Sequence, residues 1–278
     1  MTAQAPTVDR GAHPAPAAGT GSTLPNVIRS EWTKLFSVRS TGWTLLAMVA
    51  ATVGLGILAS WGTNHGWNHM SASERASFDP TGTSLSGLAL GQLAIAVLGV
   101  LLVSSEYSTG GIRTTFTTVP NRMRVLAGKT IVFTAVALVV GWIASFAAFF
   151  AGQPWFSERG IGASLSDPGV LRGVIGGGLY LGASGLFGVA MGLLLRRSAG
   201  AITVAIAALL VLPGLTNLLP GAWGDVVVRY FLSNAGQQIA FVHQSGNHLT
   251  PWVGFGVYCL WFVVPLAVGA WLMHHRDA

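Results

Sequence analysis

Three places in this 278-residue chain carry residue types whose spacing suggests chemistry. Ser184 stands in Gly182-Ala183-Ser184-Gly185, inside an apolar run. A serine nucleophile buried in a membrane needs a base within hydrogen-bond reach, most often a histidine. The last apolar run contains no histidine; His274 and His275 follow it. An intramembrane serine hydrolase built on Ser184 is therefore the weaker of two readings, the other being a small residue on a packing face. His65 and His69 are four apart, with Glu74 and Asp79 downstream. On a helix that spacing would present two imidazoles to one metal ion, but Gly66 and Asn68 disfavour a helix there. Gly128-Lys129-Thr130 looks like the end of a phosphate-binding loop, which requires a glycine five residues before Gly128. That place is Met123, and the segment leads into an apolar run rather than out of a strand. Lys129 reads instead as an anchor at a membrane interface. The expectation is a chain with no catalytic residue, no metal and no cofactor of its own.

The elements around these residues are apolar. Hydrophobic residues make up 51% of the chain and charged residues only 9%, where a soluble domain carries about 25% charged residues. Six stretches are long enough for a helix to cross a ~30 Å hydrocarbon layer: 42–61, 84–103, 130–151, 173–195, 201–219 and 252–273. None contains Asp, Glu, Lys, Arg or His, which argues against an ion-coupled carrier, since such carriers place ionisable groups in the membrane. The fifth is short, and Pro213-Gly214 suggests a kink. Net charge is +6, yet the cations stand singly and form no nucleic-acid-binding tract. Cys259 is the single cysteine and reads as an inert thiol in an apolar run.

Orientation follows from Lys and Arg outside the spans. Arg10, Arg29, Lys34, Arg39, Arg113, Arg122, Arg124, Lys129, Arg196, Arg197 and Arg276 fall on one side; Arg75, Arg159, Arg172 and Arg229 fall on the other. Eleven against four places both termini in the cytoplasm of a plasma membrane. Residues 1–23, rich in Ala, Pro, Gly and Thr, read as a disordered cytoplasmic tail, and 274–278 as a short cytoplasmic end.

Four features remain. In 24–41, Ile28, Trp32, Leu35 and Phe36 share one helical face, with Arg29, Glu31, Lys34 and Arg39 off it, the pattern of a helix lying on a membrane surface. Gly178/Gly182 and Gly188/Gly192 have small-xxx-small spacing, which lets helices approach closely, within one bundle or between two copies. The loop 220–251 holds two apolar stretches, 222–232 and 235–243, too short to cross; they suit a re-entrant or interfacial pair, the second capped by Ser233 or Asn234. Between the second and third spans, Ile112, Phe116, Val119 and Met123 form a helical stripe that Pro120 interrupts. Such a stripe suits either lipid or a groove in a soluble partner.

In order, Glu106, Gly110-Gly111-Ile112-Arg113, Pro120, Arg122 and Lys129 resemble the loop after the second span in type-2 ABC exporter permeases. "SEWTKLFSVRSTGWTLL" at 30–46 is similar to the start of many actinobacterial members, and "LSNAGQQIA" at 232–240 resembles their stretch before the last span. The resemblance runs from about residue 26 to the end of the chain. It implies an all-α, six-span bacterial membrane protein with an amphipathic N-terminal elbow helix and a cytoplasmic coupling helix at 107–119. It implies two partners, a separate ATPase subunit that holds ATP and Mg and a second permease copy, identical or not. Glu106, Gly110, Ile112, Arg113, Phe116, Pro120 and Arg122 would then form the coupling element. A non-transporting immunity or sensor module with the same fold would retain the same ATPase contact. The cargo is not legible; an amphiphile fits the uncharged spans.

Overall fold

The computed structural model describes residues 23–108, 122–243 and 248–275, and among these all regular structure is helical. The chain enters through α1 (Leu24–Ser37). Pro25 sits in its first turn, where a missing N–H costs nothing, and Val38, in extended conformation, ends it. α2 (Arg39–Gly66) starts at once and continues through a tight turn, Trp67–His69. Two short helices follow, α3 (Ala72–Ala76) and α4 (Pro80–Ser84). Then come α5 (Leu88–Ser108), α6 (Arg122–Ser157) and α7 (Val170–Leu195). α8 (Ser198–Ile206) passes through a π-helical turn, Ala207–Val211, into α9 (Leu212–Thr216). α10 (Gly221–Tyr230) and α11 (Leu232–Gln237) lead to α12 (Pro251–His275).

Six of these units are long and apolar enough to cross a membrane: α2, α5, α6, α7, the composite α8–α9, and α12. The protein is a multi-span membrane protein, a bundle of six apolar helices. At about 1.5 Å per residue, the 36 residues of α6 exceed what a bilayer core requires, and its first turns pack against α1. The predicted spans lie within or across these helices, with one clear difference. Residues 84–87 do not belong to the second span; Ser84 ends α4, the chain turns over 85–87, and Gly87 lets that turn lie directly on the Thr52 backbone.

The bundle is organised around α7. Of its most apolar window 78% is buried, against 22% for α2 and for α12. Glycine is the reason, and the two predicted pairs serve different neighbours. A Cβ on Gly188 would strike the Ala96 carbonyl, and one on Gly192 would lie 2.8 Å from the Val100 carbonyl, both on α5. A Cβ on Gly178 would strike the Trp142 ring, and one on Gly182 would lie 2.6 Å from Leu138 Cδ2, both on α6. All four glycines therefore pack against neighbouring helices of the same chain.

α8–α9 is bent for a specific reason. Pro213 has no N–H to give the carbonyl four residues back, Leu209, and the π turn lies just there. The freed Leu209 carbonyl accepts from Gln92 Nε2 at 3.3 Å and Ser233 Oγ at 3.2 Å. In a bilayer an orphaned carbonyl must find such partners.

At the end of the bundle away from α1, short helices are tied down by loop charges. Asp79 accepts from the Thr81 and Gly82 amides at the start of α4 and, through its other oxygen, from the Val242 amide at 2.8 Å. Arg172 donates to the Phe241 carbonyl at 3.0 Å. In the 220–251 region, α10 is largely exposed and α11 largely buried. Neither Ser233 nor Asn234 caps α11: Ser233 reaches the Leu209 carbonyl, and Asn234 donates to the Val228 carbonyl at 3.2 Å. The helix begins one residue earlier, and both polar side chains answer bare carbonyls instead.

Candidate functional site

Both lysines of the chain meet in one cluster. Glu31 and Lys34 come from α1, Glu106 from the end of α5, and Lys129 from the second turn of α6. Lys129 Nζ lies 2.7 Å from Glu106 Oε1 and 3.0 Å from Glu31 Oε2. Its third donor reaches the Leu102 carbonyl at 3.3 Å. Lys34 Nζ lies 2.7 Å from Glu31 Oε1 and 3.6 Å from Glu106 Oε1. The side chains of Glu31 and Lys129 are only 3% and 6% exposed, whereas Lys34 is 47% exposed. Two acids and two ammonium groups make a neutral quartet, which is what permits its burial.

Neighbouring residues bring the quartet together. Val27, Glu31 and Leu35 are the buried face of α1. Gly128 allows α1 to lie flush on α6, since a Cβ there would come within 2.7 Å of Val27 Cγ1. Burial pushes the Glu31 carboxyl up, but the charge of Lys129 and the hydrogen bonds from Lys34 and Lys129 together hold it below the usual carboxylate range. Lys34 is lowered by burial and raised more by its bond to Glu31 and the charges of Glu31 and Glu106, so it ends above the ordinary lysine value. The C-terminal carbonyls of α12 are closed off at the same end of the bundle. Arg122 donates to the Met273 carbonyl at 3.1 Å, and Arg196, its guanidinium 5.1 Å from the Tyr107 ring centre, donates to the Leu272 carbonyl. Cations are favourable at helix C-termini.

The residues read from sequence are placed as follows. Glu106 and Arg122 stand at the two ends of the segment 109–121. Gly110, Ile112, Arg113, Phe116 and Pro120 lie outside the described residues. The apolar stripe of α1 divides: Leu35 is buried against the bundle and Ile28 is half-buried, while Trp32 and Phe36 are about half exposed, their rings 4.8 Å apart. α1 thus packs one side on the bundle and leaves its aromatic pair uncovered. Two assignments change. Glu31 is not on the solvated face, and Lys129 is not an exposed interface anchor; each is buried because it supplies the other's counter-charge. The signal for this was present, because Glu31 sits between Val27 and Leu35 at helical spacing.

Ser184 belongs to a second polar cluster in the middle of the bundle. Its Oγ donates to the Tyr180 carbonyl at 2.8 Å and lies 2.6 Å from the Tyr258 hydroxyl. The Tyr180 and Tyr258 rings stack 5.1 Å apart, and the Tyr180 hydroxyl donates to Gln92 Oε1 while accepting from Gln237 Nε2 at 3.2 Å. Three spans and α11 thus meet at hydroxyls and amides. His65 lies within α2 despite Gly66, and His69 in the turn after it. Glu74 is engaged in a capping box with Ser71, and Asp79 with backbone amides. Among the described residues no group of three or more His, Cys, Asp or Glu side chains converges on one point.

No protein-family profile matches the chain, and no curated protein matches it at a significant level.

Proposed function

We propose that the chain is the membrane subunit of an ATP-driven exporter of the type-2 ABC class. On this reading α1 is the elbow helix and 107–119 the coupling helix. A separate ATPase subunit binds ATP and Mg and drives export of an amphiphilic cargo through a pair of permease subunits. Both termini and the quartet lie on the cytoplasmic side of a bacterial plasma membrane, and this chain itself is not an enzyme.

The observation that carries the reading is the neutral quartet. It ties α1 to the end of α5 and the start of α6, the two helices joined by 109–121. A soluble partner that pushed on that segment would move α1, α5 and α6 as one body, because separating them would expose unpaired buried charge. The rest of the bundle suits a part moved from outside, since the centre of the spans holds neutral hydroxyls and amides and no ionisable relay.

The test is affinity purification of the full chain from a bacterial membrane in mild detergent, with co-purifying proteins identified by mass spectrometry. A stoichiometric soluble ATPase is expected, and it should be lost when Arg113→Glu is combined with Phe116→Asp. A monodisperse protein with no ATPase partner would overturn the proposal.

A further inference from the structure

Beside the quartet lies a cavity of about 450 Å³, bounded by α1, the first turns of α2 and the second half of α5. Its volume is in the range of sites that hold small organic ligands. The walls differ in character. Leu35 on α1 and Leu98, Leu101 and Leu102 on α5 are apolar. The end of α1 and the start of α2 bring the hydroxyls of Ser37, Ser40, Thr41 and Thr44. Two of those hydroxyls turn back on their own chain: Ser37 Oγ donates to the Lys34 carbonyl at 2.9 Å, and Thr44 Oγ1 to the Ser40 carbonyl at 2.8 Å. Thr41 does not. It is 5% exposed, it lines the cavity, and its hydroxyl has no hydrogen-bond partner among the described residues. The hydroxyl opens to the cavity and is free to bond whatever enters. Lys34, half exposed at the rim, also keeps a donor free of its two carboxylates, because an ammonium has three.

We propose that this cavity is a binding site for a single-chain amphiphile with a neutral or zwitterionic headgroup. The ligand enters from the bilayer leaflet on which α1 lies. Its chain runs along the four leucines. Its headgroup accepts from Thr41 and Lys34. Charge selects the headgroup. The quartet is already neutral, so a ligand of net charge would have to leave that charge uncompensated beside buried ions or break a pair. Neither transport nor an ATPase enters this proposal, and its test reads binding alone.

The experiment uses the purified full chain in phosphatidylcholine nanodiscs and a lysophosphatidylcholine bearing a diazirine near the end of its acyl chain. On irradiation, label should appear in peptides covering 35–44 and 98–105, saturate with dose, and be competed by unlabelled lysophosphatidylcholine. Leu101→Trp, which fills the cavity from a partly exposed position, should reduce labelling about tenfold. Leu90→Trp, exposed on the same helix but outside the cavity, should leave it unchanged. Thr41→Val keeps the shape and removes the hydroxyl; it should weaken competition roughly three- to tenfold, and it carries the test if the tryptophan variant does not fold. Lysophosphatidylglycerol of equal chain length should compete less well. Label spread evenly over lipid-facing helices, unaffected by Leu101→Trp and Thr41→Val, would overturn the site. Stronger competition by the anionic lysolipid would overturn the headgroup assignment.

Discussion

Lys129 shows how much a single side chain carries in this protein. It is buried, bonded to two carboxylates and a carbonyl, and holds three helices at once. Replacing it by Met would leave Glu31 buried without its principal partner. Breaking a buried pair from one side costs about 3–5 kcal/mol. Lys129→Met should therefore lower the thermal unfolding temperature in detergent markedly, and Glu31→Leu combined with Lys129→Met should recover much of the loss; an unchanged single variant would show that the pair is not buried. The quartet also sets a pH dependence. The folded carboxyl of Glu31 is held below its unfolded value, so its stabilisation is complete above the unfolded value and is lost as pH falls through the folded one. The change belongs below about pH 4. Lys34, raised in the folded state, loses its contribution only on the strongly alkaline side. A spin label at residue 30, exposed on α1, should become mobile on acidification through that acid window. Glu31→Gln should remove the transition.

At the scale of elements, the hinge in the fifth span is the least regular part of the bundle and the most dependent on neighbours. Pro213 frees the Leu209 carbonyl, and Gln92 on α5 with Ser233 on α11 answer it. Gln92 also receives the Tyr180 hydroxyl, so Gln92→Leu should leave that hydroxyl without its acceptor and the Leu209 carbonyl with Ser233 alone. Interhelical hydrogen bonds in membranes are each worth about 0.6 kcal/mol and at most about 1.7, so a loss of roughly 1–2 kcal/mol is expected. Pro213→Ala restores an N–H that can reach Leu209 within its own helix. The cost of Gln92→Leu should then be smaller in the Pro213→Ala background, measured as a double-mutant cycle of unfolding free energies. Equal costs in both backgrounds would show that the proline does not create the vacancy Gln92 fills. This coupling was only half legible in the sequence. Pro213-Gly214 announces a bend, because proline acts locally. Nothing local announces Gln92 as its partner, more than a hundred residues away.

For the whole molecule, what the sequence discloses follows the range of the forces involved. The spans are readable because a bilayer demands long apolar runs, and six are found. The glycine spacing discloses close packing but not the partner, which required seeing Trp142, Leu138, Ala96 and Val100 in place. The quartet was the hardest to read, since its four charges lie on three helices and a lone glutamate on an amphipathic helix looks solvated. Its geometry now permits a direct test of how the end of the bundle that carries α1 moves. Val27 Cβ lies 3.5 Å from where a Cβ on Gly128 would stand, within the range a disulfide spans. Val27→Cys with Gly128→Cys, in a Cys259→Ala background, should cross-link nearly completely under mild oxidation, read as resistance of an α1 fragment to release after cleavage between α1 and α6. On the reading proposed above, α1 and α6 move as one body, and the locked protein should keep whatever ATP-driven export that reading assigns to it. On the same reading, a cross-link that forms but stops export would mean that these helices separate during the cycle, and that the buried ion pairs open with them.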